Sequence, residues 1–525
     1  MAGLVFINGN LLTQDPERPY AEALAVDGER IAAVGSRADV APAVRPGART
    51  VDLGGRTLVP GFNDAHAHAW KLGQLLTSVL DVRGVESLAL LQASLREFAA
   101  RRPGGTWLQA RGYNEALMAG RRHPAREDLD AAVADRPVLL TRVCGHAAVA
   151  NSRALDVAGV GPASAPPPGG QIDRGPDGRP TGLLYETAVG LVSSHLPLPS
   201  AAEYEEMIGA FGRHQLERGI TSSSDCGVRP ELVEIYRAMD ARGILRQRLN
   251  VMPLRRLDGR SDNVPLPERS LSERLRVDTI KLLADGGLSS ATAALSMSYR
   301  HAETRGVHRF EAEELRELMR ETHAAGWRLA VHAIGDEAIE RVISAYESLG
   351  PEVPCRRHRI EHLGLPDRAH LRRAATLNIV AVPQTVFIHS LGQNFREYLP
   401  EALLARAYPV REMMEAGIPV ALSSDAPVVE EDSPLLGIQA AVLRRDAEGI
   451  AIAPEQAITA AEALRAYTAG GAFASGDEAN RGTLSPGKWA DLAILSDDPG
   501  DVDPQGLSRI RVHMTVVGGK IVFEG

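Results

Sequence analysis

The sequence predicts an α/β protein built on a (β/α)8 barrel of the TIM type, with a small β-sandwich composed of both termini. Apolar, β-rich runs alternate with helix-period stretches through the middle of the chain, which is the pattern of a parallel βα repeat. Short β-rich runs separated by turn residues occupy both ends. A chain of 525 residues can hold a barrel of roughly 250 to 400 residues and a smaller companion domain.

The two ends of the chain predict a small β domain. In the first 57 residues, Asn-Gly, Asp-Gly and Gly-Gly pairs lie between apolar runs, and such pairs are typical of hairpins. The C-terminal end shows the same pattern. Because neither end has enough apolar residues for an independent domain, we predict one composite β-sandwich from residues 1–57 and 481–525.

The segment between the two ends, residues 58–480, contains the candidate barrel strands. They span residues 57–63, 219–226, 245–254, 277–286, 328–336, 356–363, 378–386 and 419–427. Helix-period stretches such as residues 311–325 lie between most of them. The first two strands are separated by far more residues than one helix and its loops require, so we predict an insertion at about residues 70–215.

Composition and charge limit the classes of partner. The chain has 44% hydrophobic and 24% charged residues, as a globular protein does, and a formal net charge of −9. Nucleic-acid binding needs a concentrated basic face, and crossing a bilayer needs about 20 consecutive apolar residues. We find neither pattern in the sequence. We therefore expect a small-molecule substrate, with no nucleic acid and no membrane as partner, and a homodimer is compatible with the sequence.

The cysteine content indicates the compartment. Cys144, Cys226 and Cys355 are widely spaced and odd in number, so a disulfide framework is not expected. The first ten residues show no basic n-region of a signal peptide. We predict a cytoplasmic protein whose cysteines are small buried residues rather than metal ligands.

An apolar run ending in two histidines, residues 58–68, is the first candidate functional motif. In an extended strand alternate side chains point the same way, so His66 and His68 would project from one face and could bind one cation. The His-x-His pattern is short. By itself it is equally compatible with a surface pair of histidines on a loop.

Later β-rich runs each carry one ionisable residue where a strand ends or, for the lysine, in its middle. These residues are Lys281, His332, His362 and Asp425. A buried lysine must be paired, neutralised or chemically modified, because a bare ammonium in an apolar interior is costly. An ion pair with Asp285 is the alternative to modification of Lys281. A helix N-cap is the alternative role of Asp425.

The order His-x-His, Lys, His, His, Asp resembles that of the amidohydrolase superfamily, whose members hold one or two divalent metals at the carboxyl ends of the strands of a (β/α)8 barrel. The insertion resembles that of the amidohydrolase family 3 branch. Residues 107–115, 136–152 and 182–186 carry this second resemblance. Together the two resemblances cover nearly the whole chain.

The resemblance implies one or two divalent metals per chain, with zinc as the expected metal. The implied ligands are His66, His68 and Asp425 for a first metal and His332 and His362 for a second. Lys281 would bridge the two metals after its amine captures carbon dioxide and becomes an N6-carboxylated lysine. Many members of the family also carry a composite β-sandwich like the one predicted here.

The implied chemistry is hydrolysis by an activated water. A metal lowers the pKa of a bound water and polarises the carbonyl under attack. Asp425 would take the water's proton and pass it to the leaving nitrogen. We therefore predict a hydrolase of a C–N bond, other than a peptide bond, in an amide or N-substituted formamide-like small molecule.

Two other functions are kept as alternatives. A metal-dependent deaminase of a ring amidine has the same fold, but such enzymes usually lack the strand-four lysine, so Lys281 counts against it. A non-catalytic binding or regulatory protein would be favoured by missing ligands, and all six ligand positions are filled.

Four further residues are candidates for substrate binding. Tyr113, His146 and Glu186 lie in the insertion, which covers the barrel mouth in related proteins. His389 follows the seventh candidate strand, where barrel loops reach a substrate. Each is also compatible with an ordinary packed or exposed side chain. One loop departs from the family pattern at Ala291, where arginine is usual, so no substrate is inferred through that loop.

Overall fold

The chain adopts an α/β fold in which parallel sheets lie beside mixed and antiparallel ones. The computed structural model describes residues 3–257, 260 and 262–525. In chain order the strands are β1 (Leu4–Ile7), β2 (Asn10–Leu12), β3 (Tyr20–Ala21), β4 (Ala23–Asp27), β5 (Arg30–Gly35), β6 (Arg49–Asp52), β7 (Thr57–Pro60), β8 (Phe62–Ala67), β9 (Leu80–Asp81), β10 (Leu108–Tyr113), β11 (Val138–Arg142), β12 (Ala147–Ala150), β13 (Gly170–Arg174), β14 (Pro180–Glu186), β15 (Ile220–Val228), β16 (Arg248–Pro253), β17 (Ser270–Leu271), β18 (Leu275–Val277), β19 (Thr279–Leu283), β20 (Arg328–Ala333), β21 (Arg359–His362), β22 (Val380–Val382), β23 (Leu492–Leu495), β24 (Val512–Val517) and β25 (Lys520–Glu524).

The α-helices mostly lie between these strands. They are α1 (Arg37–Val40), α2 (Ala69–Thr77), α3 (Leu88–Ala100), α4 (Arg126–Asp130), α5 (Ser152–Ala158), α6 (Val189–Ser193), α7 (Ala201–Leu216), α8 (Pro230–Ala241), α9 (Ala312–Ala324), α10 (Asp336–Glu347), α11 (Val353–Arg356), α12 (Arg368–Thr376), α13 (Val386–Ser390), α14 (Gly392–Tyr398), α15 (Glu401–Leu404), α16 (Val410–Glu415), α17 (Pro434–Leu443), α18 (Ala460–Arg465) and α19 (Gly471–Ser475). Helix α7 begins with a capping box, in which Ser200 and Glu203 satisfy each other's backbone N–H groups. Within the described part of the chain, every helix is too short or too polar to cross a lipid bilayer.

Two sheets contain the parallel strands that position the site. In one, β8, β15, β16 and β18 pair in parallel, and in the other β19, β20, β21 and β22 do so. A parallel bridge between Leu254 and Lys281 joins the two sheets on one side. On the other side, Val420 bridges to Ala381. Because parallel strands carry their carboxyl ends at the same edge, the side chains that follow them lie close together.

Two strand predictions differ from the structure. The predicted strand 57–63 is divided, because Thr57–Pro60 pairs with β23 from the C-terminal end and β8 begins only at Phe62. Gly61 separates the two, and a Cβ there would lie 2.2 Å from the side chain of Thr221. The predicted strand 419–427 forms only the bridge at Val420. Pro419 lacks an N–H group for a ladder. The remaining predicted strands lie at the expected positions with shorter bounds, except β15, which has nine residues against eight predicted.

Strands from both ends of the chain share one sheet, in the order β25-β24-β23-β7-β2-β3. A second sheet, β5-β4-β1-β6, comes from the N-terminal end alone. Phe6 and Leu24 of the second sheet belong to the same hydrophobic cluster as Leu58, Leu492 and Val516 of the first. Burial of each such side chain contributes about 1.5–3 kcal/mol, so the two sheets stabilise each other across this cluster.

A mixed sheet is inserted between β8 and β15, with the strand order β13-β14-β12-β11-β10-β9. The insertion predicted from the sequence, at about residues 70–215, would include most of α2 and most of α7. In the structure they pack on the parallel strands instead, since Leu72 and Phe211 share a hydrophobic cluster with Val251. The inserted sheet therefore occupies residues 80–186, a narrower range than the predicted 70–215.

Candidate metal centre

The carboxyl ends of the parallel strands bring the six predicted ligands into one cavity of about 90 Å³. These residues are His66, His68, Lys281, His332, His362 and Asp425. All are buried except His68, whose side chain is 15% exposed. Residues separated by more than 350 positions in the sequence thus meet because β8, β19, β20, β21 and the segment after Val420 end at the same edge.

Asp425 lies between the two histidines of the His-x-His motif. Its Oδ1 is 3.0 Å from Nε2 of His68 and 3.4 Å from Nε2 of His66. The Asp425 backbone has a φ of +57°, and its N–H group donates to the carbonyl oxygen of His66 at 2.8 Å. The described residues 426–430 form turns and bends rather than a helix. The alternative of a helix N-cap at Asp425 is therefore wrong.

Acceptors fix the protonation of three of the histidine rings. In each, Nδ1 lies within hydrogen-bonding distance of an oxygen that can accept its proton. The pairs are His66 with Glu361 at 2.6 Å, His68 with the carbonyl oxygen of Cys226 at 2.6 Å and His362 with Gln384 at 2.5 Å. A proton on Nδ1 leaves a lone pair on Nε2. This is the tautomer that a metal-binding histidine needs when Nε2 is the ligand atom.

His332 has the opposite arrangement. Its Nε2 is 3.1 Å from the carbonyl oxygen of Gly286 and 3.3 Å from Oδ1 of Asp285. A proton on Nε2 leaves the lone pair on Nδ1. The His332 ring centroid is 4.4 Å from that of His362, so the two rings can serve one ion together.

Lys281 is 2% exposed, and its Nζ has no hydrogen-bond partner among the described residues. Asp285 is not its counter-ion. The Asp285 carboxylate instead accepts from the backbone N–H groups of Ala294, Ile334 and Gly335 at 2.8–3.0 Å. The alternative of a Lys281–Asp285 ion pair is therefore wrong, and Lys281 is left with a buried amine that the polypeptide does not satisfy.

Burial controls the protonation of the site. It lowers the pKa of His66, His332 and His362 well below the usual value, and that of His68 to about 4. Burial opposes ionisation of Asp425, but His66 and His68 outweigh it and hold the pKa of Asp425 well below its usual range. Neutral imidazoles and an ionised carboxylate are the forms that bind a metal.

The donor set fits a divalent metal. Single ligand atoms of His66, His362 and Asp425 lie within 4.8 Å of one another. Imidazole nitrogen and carboxylate oxygen are common zinc ligands. Oδ1 of Asp425 and Nζ of Lys281 are both buried and accept or donate no hydrogen bond of good geometry among the described residues. A metal, and a carboxylated Lys281, would satisfy both atoms.

A second group of possible ligand atoms, from His66, Cys226 and Glu361, lies deeper. The Glu361 carboxylate is already bound by Arg359, with Nε to Oε1 at 2.7 Å. Burial raises the pKa of the Cys226 thiol well above its usual value, so the sulfur stays protonated. This group therefore supports the His66 ring rather than forming a metal site of its own.

Of the four candidate substrate-binding residues, the structure brings His146 and Glu186 to the cavity. Nδ1 of His146 is 3.0 Å from Oε2 of Glu186, and the His146 ring centroid is 5.4 Å from that of His332. Burial opposes protonation of His146, but Glu186 outweighs it and raises the His146 pKa to about 9. The pair can present a charged donor to a group bound near His332.

The structure does not bring Tyr113 or His389 to the cavity. Tyr113 is buried in the hydrophobic cluster of the inserted sheet, and its hydroxyl is 3.1 Å from Nδ1 of His123. His389, at the end of α13, lines a neighbouring cleft between the insertion and the segment after Asp425. The structure thus places both side chains outside the lining of the metal cavity, and their role in substrate binding stays a prediction.

Several residues of the site were missed from the sequence. Glu361 and Gln384 hold the histidine rings, and Arg111 lines the cavity. An Arg-x-Glu pattern in a buried strand, Arg359 to Glu361, indicates a buried ion pair and was visible in the sequence. Gln384 follows β22 and Arg111 lies in β10, and neither strand shows such a pattern.

A small apolar arm of about 20 Å³ adjoins the cavity and shares His146, His332, His362 and Asp425 with it. Phe387, Leu391, Phe395 and Tyr408 line it together with His332 and His362. The arm is small, and its walls come from α13, α14 and the loop before α16. A substrate with an apolar substituent could place it there.

These features define a class of protein: a hydrolase with the donor set for a divalent metal at the carboxyl ends of parallel strands. The sequence profile described as the amidohydrolase family matches residues 49–523. The chain belongs to this family. The predicted family is thereby confirmed.

Curated relatives match the chain over nearly its full length. N-substituted formamide deformylase of Arthrobacter pascens is 31% identical over 100% of this chain and 99% of the relative. The putative amidohydrolase YtcJ of Bacillus subtilis is 31% identical over 91% of each chain. Among solved structures, an uncharacterized metal-dependent hydrolase from Pyrococcus horikoshii has a TM-score of 0.76 at 25% identity, covering 96% of this chain and 99% of its own. These similarities support a metal-dependent hydrolase and leave the substrate as a prediction.

Proposed function

We propose that the protein hydrolyses a C–N bond, other than a peptide bond, in an amide or N-substituted formamide-like small molecule, with zinc as its metal. The observation that carries the proposal is the meeting of six potential ligands in one cavity, where Nζ of Lys281 and Oδ1 of Asp425 make no hydrogen bond of good geometry with any described residue. The relative from Arthrobacter pascens, named for deformylation of N-substituted formamides, supports the choice of bond.

The proposed ligands divide between two metal positions. His66, His68 and Asp425 would hold one metal, and His332 and His362 the other. Lys281, converted to a carbamate by carbon dioxide with loss of a proton, would bridge them. When bound, the metals would lower the pKa of a water molecule and polarise the substrate carbonyl.

Asp425 would act as general base and then as general acid. Its Oδ1 faces the cavity between two imidazoles, and its low pKa keeps it ionised, so it can accept the water's proton. The same carboxyl group would return that proton to the leaving nitrogen. His146, oriented by Glu186, would donate a hydrogen bond to the substrate beside His332. The apolar arm would hold the substituent on nitrogen or carbon.

We propose the following architecture around this site. The two parallel sheets and the segment after Val420 would close into one (β/α)8 barrel, and the sheets from both termini would form a composite β-sandwich. Pairing of Thr57–Pro60 with β23 moves the proposed boundary between them to residue 60. The described cysteines are unpaired; Cys144 and Cys226 are buried as predicted, whereas Cys355 is exposed, and the cytoplasmic location stays a prediction. A homodimer stays a prediction.

Metal analysis combined with a substrate panel tests the function. Protein purified without chelator should contain up to two equivalents of zinc per chain and should release amine from N-formyl, N-acyl or cyclic amide compounds. Removal of metal by chelator should abolish turnover, and added zinc should restore it. Turnover that persists without metal would overturn the proposal. Ammonia released from ring amidines alone would favour the deaminase, and bound metal without any turnover would favour a binding protein.

Lys281→Ala tests the bridging carbamate. We expect the variant to lose at least one equivalent of metal and its activity, because the anion between the metals is gone. Short carboxylic acids, with bicarbonate present, should partly restore both by supplying a carboxylate. Lys520→Ala removes an exposed lysine from β25 and should change neither quantity. Full metal content and activity in Lys281→Ala would exclude the carbamate.

A further inference from the structure

Arg111 lines the cavity as a partly buried side chain and has no ion-pair partner in the part of the chain that the structure describes. Its Nε is buried and makes no hydrogen bond, and its Nη2 is 3.5 Å from the carbonyl oxygen of Val143. Among residues 3–257, 260 and 262–525, no carboxylate lies within ion-pairing distance of the guanidinium. Asp81, its neighbour across the sheet, is bound by Arg83 with Nη2 to Oδ2 at 2.7 Å. Asp81 and Asp425 act on Arg111 only through longer-range charge interactions, so the guanidinium has no direct acidic partner among the described residues.

Four arginines that are at most 2% exposed have partners in the described part of the chain. One of them, Arg444, donates to the backbone carbonyl oxygens of Ala407, Tyr408, Ile452 and Ala453. In the other three, a carboxylate lies within 2.8 Å of the guanidinium. The pairs are Arg142 with Glu115, Arg248 with Asp491 and Arg359 with Glu361. An arginine that is desolvated without a partner is costly, because the guanidinium stays charged. Burial lowers the pKa of Arg111 to about 10, as it does that of Arg444. Arg111 differs from the four arginines in its contacts: it is partly buried, makes a single contact of 3.5 Å and lines a cavity that can hold a ligand. An anionic ligand would supply the missing partner.

The position of Arg111 matches a role in substrate binding. It lines the same cavity as His68, Lys281 and Asp425. Gly145, at a φ of +79°, faces the guanidinium, and a Cβ there would lie 3.1 Å from Nη2. The glycine thus leaves room beside the charged group. On the opposite side, Arg309 has its Nη1 3.6 Å from Glu186, so that charge already has an acidic neighbour.

We propose that Arg111 binds a carboxylate of the substrate, which makes the substrate an N-formyl or N-acyl amino acid rather than a neutral amide. This inference rests on the proposed function. A planar guanidinium presents paired N–H groups that match a carboxylate, whereas a neutral amide would leave the partly buried charge without an anion.

A matched substrate pair tests the proposal. N-formyl-leucine and N-formyl-leucinamide differ only in the carboxylate. We expect the zinc enzyme to show a kcat/KM at least ~30-fold higher for N-formyl-leucine, as for a desolvated charge pair. Arg111→Gln should abolish the preference, mainly through KM, and keep the kcat/KM for the amide. Arg111→Lys should retain part of the preference, because the charge remains and the fork geometry is lost. Arg83→Gln, a nearby charge loss outside the cavity, should retain all of it.

Failure of this inference differs from failure of the proposed function. Equal turnover of the two substrates, or a preference for the amide, would overturn the role of Arg111 and leave the hydrolase intact. Absence of turnover on every amide would overturn the proposed function. In that case, calorimetry with 4-methylpentanoate and 4-methylpentanamide tests whether Arg111 binds a carboxylate. The role of Arg111 is supported if only the acid binds, and if this binding is lost in Arg111→Gln and kept in Arg83→Gln. Equal binding to both variants would place the acid on the metals and overturn it.

Discussion

Two sets of buried polar groups lie next to each other along the parallel strands, and only one set is satisfied by the protein. Asp64 accepts from the N–H and the hydroxyl of Ser424 at 3.0 and 2.5 Å. Asp285 accepts from three backbone N–H groups. By contrast, Oδ1 of Asp425 and Nζ of Lys281 have no hydrogen-bond partner in the described part of the chain.

The difference shows where the scaffold ends and the site begins. A buried polar group without a partner costs about 1–3 kcal/mol, so a fold retains one where something else uses it. Ser424 and Asp425 are adjacent, yet the first is engaged by Asp64 and the second faces the cavity. A residue bonded within the scaffold and a residue of the site are thus direct neighbours in the sequence.

The Asp425→Asn variant tests the polar groups that have no hydrogen-bond partner in the described part of the chain, and we expect it to have the largest effect on kcat. An amide oxygen can still face a metal, and four histidines remain, so much of the metal should stay bound. An amide cannot accept the water's proton, so kcat should fall by about 10²–10⁴ with little change in substrate binding. Metal content by elemental analysis and steady-state kinetics on one identified amide measure both.

Asp225→Asn is the matched control for that variant. Asp225 is also a buried aspartate of a parallel strand, but it is satisfied by the Tyr236 hydroxyl and the Ala69 N–H group. We expect a near-normal kcat for this variant. Near-normal turnover in Asp425→Asn as well would reduce Asp425 to a structural residue. The general base would then be sought at His146 or Glu186.

Gln384→Ala tests whether the groups behind the ligands serve the scaffold or the metal. Gln384 holds Nδ1 of His362 and is itself held by the hydroxyl of Ser423 at 2.8 Å. Loss of such support typically reduces metal affinity or activity by about 10–100-fold. Competition with a chelator measures the affinity. Gln384→Glu keeps an oxygen at this place and should recover part of the loss, whereas a packing role alone would give no recovery.

Much of the site could be predicted from the sequence, because its ligands end β-rich runs in a fixed order. His66, His332, His362 and Asp425 each follow or end an apolar run, so their meeting follows from parallel pairing alone. Lys281 is in mid-strand and could be singled out by the cost of burying its charge.

The remaining features depend on tertiary geometry. Thr57–Pro60 is as apolar as a central strand, and only pairing with β23 shows that it belongs to the terminal sheet. Tyr113 and Arg111 are two residues apart in β10, with a register shift between them, and only Arg111 reaches the cavity. A local sequence pattern does not fix such a shift.

The smallest predicted effect is a pH dependence of the free energy of unfolding, caused by the buried and hydrogen-bonded Asp225. Burial raises the pKa of Asp225 from its ordinary value of 3.8 to about 7, although Tyr236 and Ala69 favour its charged form. Between these two values the folded protein keeps a proton that the unfolded chain has released. Its stabilising contribution is therefore present below pH 4 and is lost as pH rises towards 7, by at most ~1.4 kcal/mol per pH unit.

The Asp225→Asn variant tests this dependence, because it removes the titrating carboxyl group. Denaturant unfolding of metal-loaded protein at pH 5 and 6 should show wild type losing about 1 kcal/mol more than the variant between the two. Parallel losses would mean that Asp225 is ionised throughout, and that its two hydrogen bonds suffice to hold a buried charge.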